Sequence, residues 1–168
     1  MAHRFSLYLV RHAIASDKGD AYPDDAARPL TAEGMAKFRK AARGLADLGV
    51  EVDRVLTSPL VRARQTADIL AAELPGHAPV VETAALQPGV PFERLIEALA
   101  GCTDCAAVAI VGHEPGIGDA AARLIGSASA FEFKKGAVCR VDFESWPPRP
   151  PGTLHWFLTP KVLKALCG

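Results

Sequence analysis

The sequence predicts an α/β fold: a three-layer α-β-α sandwich with a mostly parallel central sheet and an antiparallel edge. Three observations carry this. Short apolar runs of strand length alternate with longer amphipathic segments, the order that builds a parallel sheet with helices on both faces. The runs at 5–10 and 106–111 are apolar almost throughout, as expected of strands buried on both sides. The last two strand candidates, 136–143 and 153–158, are joined by a turn with no helix between them, so the second returns antiparallel at the edge.

The elements follow in order. Residues 5–10 read as the first strand, and 13–29 as a loop broken by Gly19, Pro23 and Pro29. Asp17, Asp20, Asp24 and Asp25 lie in that loop; their spacing matches no calcium loop, so they read as solvated. Thr31 is placed to cap a helix with Glu33 in its first turn, and Met35, Phe38, Ala42 and Leu45 share one face. Gly49 stops that helix near Leu48. A second strand spans 52–57. Ser58-Pro59 then caps and opens a helix, since proline suits the first helical position, and Pro75-Gly76 ends it. A short strand at 79–82 precedes a helix over 92–100 with Leu95 and Leu99 inward. After the strand at 106–111, Pro115-Gly116 leads into a helix to about Ile125, and 126–130 is a loop of small residues. The proline-rich stretch 146–152 reads as a rigid surface turn, its alternative being a polyproline docking segment. Residues 160–166 form a terminal helix.

Composition limits what such a chain does. Its 168 residues suit one domain, 1–168. Hydrophobic residues make up 49% and charged residues 23%, which favours a packed core over disorder. Nineteen basic residues balance nineteen acidic ones, so no nucleic-acid or anionic-membrane partner is expected. No apolar stretch approaches the roughly 20 residues a membrane helix needs. The run at 5–10 is too short for a signal segment, so the expectation is a cytoplasmic protein that keeps its N-terminus. Cys102, Cys105, Cys139 and Cys167 fit a reducing compartment. Cys102-Thr103-Asp104-Cys105 has no second pair at metal-binding spacing and precedes a strand, so it reads as two incidental loop thiols rather than a zinc or redox motif.

Chemistry concentrates at strand ends. Arg11 and His12 follow the first strand directly, and His113 follows the strand at 106–111 across Gly112. Arg62 falls in the first turn of the helix after the second strand, and helical side chains lean toward the N-terminus, so it should reach back to the same rim. Ligands of open α/β sheets bind beyond the carboxyl ends of the strands. Helix starts near Ser58 and Pro115 would add positive dipole ends. Four converging cationic or imidazole groups suit a compact dianion, and phosphate is the natural candidate. The other histidines, His3, His77 and His155, read as structural or exposed, and Arg64 should point to another side of its helix.

These residues resemble the histidine phosphatase superfamily, the phosphoglycerate-mutase-like fold. Arg11-His12-Ala13 is similar to its Arg-His-Gly signature, Ser58 to Thr66 to its second motif, and Gly112-His113 to its third. The stretch Arg28-Pro29-Leu30-Thr31-Ala32-Glu33-Gly34 resembles the start of its first helix. The short length and the closing Trp156…Thr159-Pro160 resemble the SixA-type phosphohistidine phosphatase branch. The resemblance implies that His12 is the nucleophile of a covalent phosphohistidine intermediate, with Arg11, Arg62 and His113 binding the phosphoryl oxygens, no metal and no cofactor. It implies a phosphorylated protein substrate, with a histidine-containing phosphotransfer domain as the candidate partner.

Two departures stand out. Ala13 replaces the signature glycine, which a negative φ tolerates and a positive φ does not. The mid-chain region 83–89, where many family phosphatases carry a glutamate acid, has no carboxylate. Glu82, Glu93 and Glu114 lie around it as alternatives. Imidazole leaves phosphorus more easily than an alkoxide, so a missing acid favours phosphohistidine over sugar phosphates. Two other readings stay open: a phosphomonoesterase for a small metabolite, and a non-catalytic module that binds phosphorylated partners.

Overall fold

A computed structural model describes residues 4–168; His3 lies outside them. The strands are β1 (Phe5–Arg11), β2 (Arg54–Thr57), β3 (Val80–Glu82), β4 (Ala107–Gly112), β5 (Val138–Phe143) and β6 (Thr153–Leu158). The helices are α1 (Ala32–Asp47), α2 (Val61–Glu73), α3 (Phe92–Ala100), α4 (Gly116–Ile125) and α5 (Pro160–Leu166). Short 3-10 turns occur at Asp25–Ala27 and Ala84–Leu86. No helix among the described residues is long and apolar enough to cross a membrane.

All strands join one six-stranded sheet in the order β3-β2-β4-β1-β5-β6. β3, β2, β4 and β1 are parallel; β5 and β6 are antiparallel to their neighbours, as the sequence predicts. The strands feed two cores through the strict alternation of side chains across a sheet. Tyr8, Val10, Ala109 and Val111 face a core shared with Phe38 and Leu45 of α1, Leu70 of α2 and Leu163 of α5. Leu7, Leu9, Val108 and Ile110 face the other, with Leu95 and Leu99 of α3 and Leu124 of α4. This is the expected three-layer sandwich.

Local rules account for most boundaries. Thr31 Oγ1 accepts the Gly34 N–H at 2.9 Å and caps α1. Gly34 packs against the loop after β1 so closely that a Cβ there would lie 2.1 Å from the Ile14 carbonyl oxygen. One expectation fails at the start of α2: Pro59 is not its first residue. The helix begins at Val61 with Leu60 as its cap residue, because Ser58 Oγ takes the Leu60 N–H at 3.2 Å in a turn of its own. The cysteine expectation also changes. Cys102 and Cys105 are 2% and 5% exposed and fill the second core, so they are packing residues rather than idle loop thiols. The proline-rich turn is tied down at both ends: Trp146 Nε1 donates to the Leu99 carbonyl at 2.9 Å, and the Gly152 N–H to that of Leu124 at 2.7 Å.

The antiparallel edge is held by a buried carboxylate. Asp142 accepts from Arg140 at 2.9 and 3.1 Å and from the Ser6 hydroxyl at 2.9 Å, joining β5 to β1. Burial opposes its charge, but Arg140 and Ser6 outweigh that and hold its carboxyl below the usual range. Its stabilising contribution is therefore complete above the unfolded value and lost as pH falls through the lower folded one. Replacing Asp142→Ala should cost about 2–4 kcal/mol, since Arg140 and Ser6 keep their setting without their acceptor. Thermal melting followed by circular dichroism should show a midpoint roughly 5–15 °C lower.

Candidate active site

Parallel register brings the strand ends together. Arg11 pairs with Gly112 and Thr57 with Val111, so β1, β4 and β2 finish at one rim. The chain leaves β1 toward α1 on one face and leaves adjacent β4 toward α4 on the other, which opens a crevice at that rim. The His12 N–H donates to the Gly112 carbonyl at 3.0 Å, and the Ser58 N–H to that of Val111 at 3.1 Å. Arg11, His12, Arg62 and His113 all come to this edge. His12 and His113 face each other with ring centroids 5.2 Å apart.

Each group is fixed by its surroundings. His12 Nδ1 lies 2.7 Å from the Ala13 carbonyl oxygen. A carbonyl only accepts, so Nδ1 carries the proton and Nε2 keeps its lone pair. Ala13 is not among the residues with positive φ; the only such non-glycine among the described residues is His77 at 46°. The methyl group in place of the usual glycine thus adds no backbone strain. The Ala13 N–H donates to Thr66 Oγ1 at 3.1 Å, and that hydroxyl donates to the Arg62 carbonyl at 2.7 Å, tying the turn to α2. His113 Nε2 lies 2.8 Å from Ser58 Oγ. Where the Ser58 hydroxyl donates to Nε2, the imidazole proton of His113 falls on Nδ1.

The arginines are anchored from behind. Arg11 Nη1 donates to the Phe133 carbonyl at 2.6 Å. Arg62, 5% exposed, donates from Nη1 to the Asp25 carbonyl at 2.7 Å and from Nη2 to Asp25 Oδ2 at 3.0 Å. Three buried polar atoms of this group have no hydrogen-bond partner: Arg11 Nε, Arg62 Nε and His113 Nδ1. A buried unpaired donor costs roughly 1–3 kcal/mol, so such a set is uncommon away from functional sites.

Burial and neighbouring cations keep both imidazoles neutral. Burial chiefly, then His113, Arg62 and Arg11, lower the His12 pKa to about 3 against the opposing hydrogen bond to Ala13. Burial and Arg62 lower that of His113 to about 4, with Asp25 pulling the other way. A neutral His12 with a free Nε2 is a nucleophile without needing a base to deprotonate it.

A cleft of about 300 Å³ opens beside His113, walled by Leu86, Phe92, Leu95 and Ile117, with Gln87, Glu114, Asp119 and Arg123 at its polar positions. The three alternative carboxylates fare differently. Glu82 pairs with Arg64 at 3.3 Å and Glu93 with Arg123 at 3.3 Å, both exposed. Only Glu114 adjoins the site; burial raises its pKa, and its Oε1 is buried without a partner. Gly118 makes room for it: a Cβ there would lie 2.5 Å from the Phe131 carbonyl oxygen and 3.0 Å from Glu114 Oε1. Arg64 turns outward to Asp68 and Glu82, as expected. His77 is exposed, and His155 reaches toward Asp142 at 3.5 Å, away from the rim. No group of metal-ligating residues occurs among the described residues.

Sequence reasoning missed four contributors. Asp25 is not a merely solvated loop residue; it holds Arg62 and Arg28 together. Its spacing from Arg28 was the available signal, since the two are three residues apart in a turn. Ser58 holds His113 as well as making its own turn, and Thr66 bridges two elements. The Phe133 carbonyl had no sequence signal, because every residue has one.

Comparison with known proteins points the same way. The profile of the histidine phosphatase superfamily, branch 1, matches residues 7–88. Phosphohistidine phosphatase SixA of Escherichia coli is 30% identical over 165 residues, covering 94% of this chain and 96% of that protein. An uncharacterized protein of Picosynechococcus is 42% identical over 115 residues, 67% of this chain and 68% of its own length. The structure of the protein histidine phosphatase SixA complexed with tungstate superposes with a TM-score of 0.82 at 27% identity, covering 95% of this chain and 99% of that one.

Both imidazoles should remain neutral well below their ordinary range, near 6.5. Between that value and about 4, the unfolded chain binds protons the folded one refuses, so this pair makes stability fall as pH drops through that window. NMR of the ring nitrogens should find His12 as the Nδ1–H tautomer and uncharged at pH 5; a charged ring there would contradict the assignment.

Proposed function

The chain belongs to the histidine phosphatase superfamily, and on that premise we propose that it removes phosphate from a phosphohistidine substrate through a covalent intermediate on His12. The observation that carries the reading is the trio of buried, unpartnered nitrogens, Arg11 Nε, Arg62 Nε and His113 Nδ1, beside a neutral imidazole with its lone pair on Nε2. A tetrahedral phosphoryl group offers those nitrogens acceptor oxygens and negative charge. The similar SixA structure is a complex with tungstate, itself a tetrahedral oxyanion.

His12 Nε2 attacks phosphorus in line with the departing nitrogen. The P–N bond of the substrate breaks as the P–Nε2 bond forms. A phosphoimidazole already protonated on its other ring nitrogen leaves as neutral imidazole, so the breaking bond needs no carboxylic acid. Arg11, Arg62 and His113 hold the three equatorial oxygens, where positioning and charge stabilisation do most of the catalytic work. Water then attacks the phosphoenzyme, the P–Nε2 bond breaks, and its electron pair returns to His12. No step calls for a cofactor. The apolar cleft beside His113 receives the departing side chain.

A phosphorylated protein is the substrate in this reading, and a histidine-containing phosphotransfer domain is the candidate partner. Support comes from the partly apolar cleft and from the phosphohistidine phosphatase activity of the similar SixA of Escherichia coli. The zero net charge argues against a nucleic acid. Treating 1–168 as one domain is supported by a single sheet that takes strands from both ends of the chain. A second reading, phosphomonoester hydrolysis of a small metabolite, draws on Glu114, the one carboxyl next to the site whose proton is held more tightly than usual.

Phosphate release measured side by side on a phosphohistidine protein and a panel of metabolite phosphates should favour the former; faster turnover of the metabolites would favour the second reading. On rapid quench the parent should yield an acid-labile phosphoenzyme that His12→Ala lacks, with phosphate release gone. Arg62→Ala should lose about 10²–10³ in kcat, the usual cost of deleting a charge-stabilising donor.

A further inference from the structure

We propose that Asp25 is a positioning residue of this site, gripping the outer edge of the Arg62 guanidinium so that its inner edge is held toward the phosphoryl group. The inference rests on the reading of Arg62 as a phosphate-binding group. Asp25 opens the 3-10 turn Asp25–Ala27 in the loop after β1, a segment far from α2 in sequence. Its backbone carbonyl accepts from Arg62 Nη1 at 2.7 Å and its Oδ2 from Nη2 at 3.0 Å. Both terminal nitrogens are thus engaged by one residue, while Nε stays buried and unpartnered. Because the guanidinium is planar and rigid, fixing two nitrogens fixes the direction of every other N–H.

The grip is itself braced. Asp24 caps the turn by accepting the Ala26 N–H at 3.0 Å. Asp25 Oδ1 accepts from Arg28 Nε at 2.9 Å, and Arg28 Nη1 donates to the Ser16 carbonyl at 2.8 Å. The carboxylate is shared between two arginines, one oxygen each, and cannot rotate without losing one of them. The exposures of the partners argue against an ordinary surface pair: the Asp25 side chain is 43% exposed, but that of Arg62 is 5% exposed. Asp25 is the only acidic partner of Arg62 among the described residues. Without it, a buried cation keeps one main-chain bond and gains freedom to swing.

A double-mutant cycle tests this, because a residue acting through Arg62 has nothing to act on once Arg62 is gone. Asp25→Ala should lower kcat on a phosphohistidine protein at least ten-fold, and Asp25→Asn, which keeps an acceptor oxygen, should recover part of it. In the Arg62→Ala background, Asp25→Ala should change kcat less than three-fold. The same pattern should hold for tungstate affinity measured by calorimetry, which serves if the double variant is too slow to assay. A loss below three-fold in Asp25→Ala overturns the proposal. So does a loss above three-fold in the Arg62→Ala background, which would mean a general role in folding the loop. Should Asp25→Ala fail to fold, Asp25→Asn carries the same cycle. An Arg62→Ala variant as active as the parent would instead sink the phosphate-binding role of Arg62.

Discussion

Burial of two imidazoles and the Arg62 guanidinium beside Arg11 at one sheet rim is the constraint on which the rest of the structure depends. Two guanidiniums and two imidazoles are brought close together, largely out of water. Burial and like charge resist any further positive charge there, and the imidazoles yield by staying neutral. What would be a cost for a structural histidine is an asset for a nucleophile. The arginines cannot yield, because a guanidinium does not give up its proton at physiological pH. Their charge is answered by acceptors at their backs, the Phe133 carbonyl for Arg11 and Asp25 for Arg62.

The scaffold holds that crowding in place through backbone. Parallel pairing of β1, β4 and β2 sets the strand ends level, so residues distant in sequence meet without a connecting loop of their own. Close approaches add rigidity. The start of α1 lies on the Ile14 carbonyl at Gly34, and α4 lies on the Phe131 carbonyl at Gly118. A side chain at either position would push a helix away from the rim it supports. Thr66 adds a direct tie between the His12 turn and the helix that carries Arg62.

On the proposed mechanism, specificity would lie on the His113 side. The cleft there has largely apolar walls with the carboxyls of Glu114 and Asp119 among its lining, and of the two only Glu114 directly follows His113 and holds its proton more tightly than usual. On the proposed mechanism, reactions that differ in how much they need a proton at the leaving group would be separated by Glu114 and its neighbours, not by Arg11, Arg62 and His113. Glu82 and Glu93, equally plausible along the sequence, are tied to Arg64 and Arg123 on the surface.

The amino-acid order by itself determined the layered fold, the antiparallel edge, and the four groups Arg11, His12, Arg62 and His113. Strand and helix periods are local properties, and a cation immediately beyond a buried strand can only lie at the rim. The start of α2 escaped that reasoning because Ser58, a good cap in isolation, makes its own turn and also reaches His113. The harmlessness of Ala13 depended on a φ angle that no sequence states. The partners of the arginines were decided only in three dimensions. Asp25 looked like one of four solvated aspartates until the loop folded over α2, and the Phe133 carbonyl has no chemical signature of its own. Periodicity shows which face a residue presents; which acceptor stands behind a buried cation is settled by contacts between segments far apart in the chain.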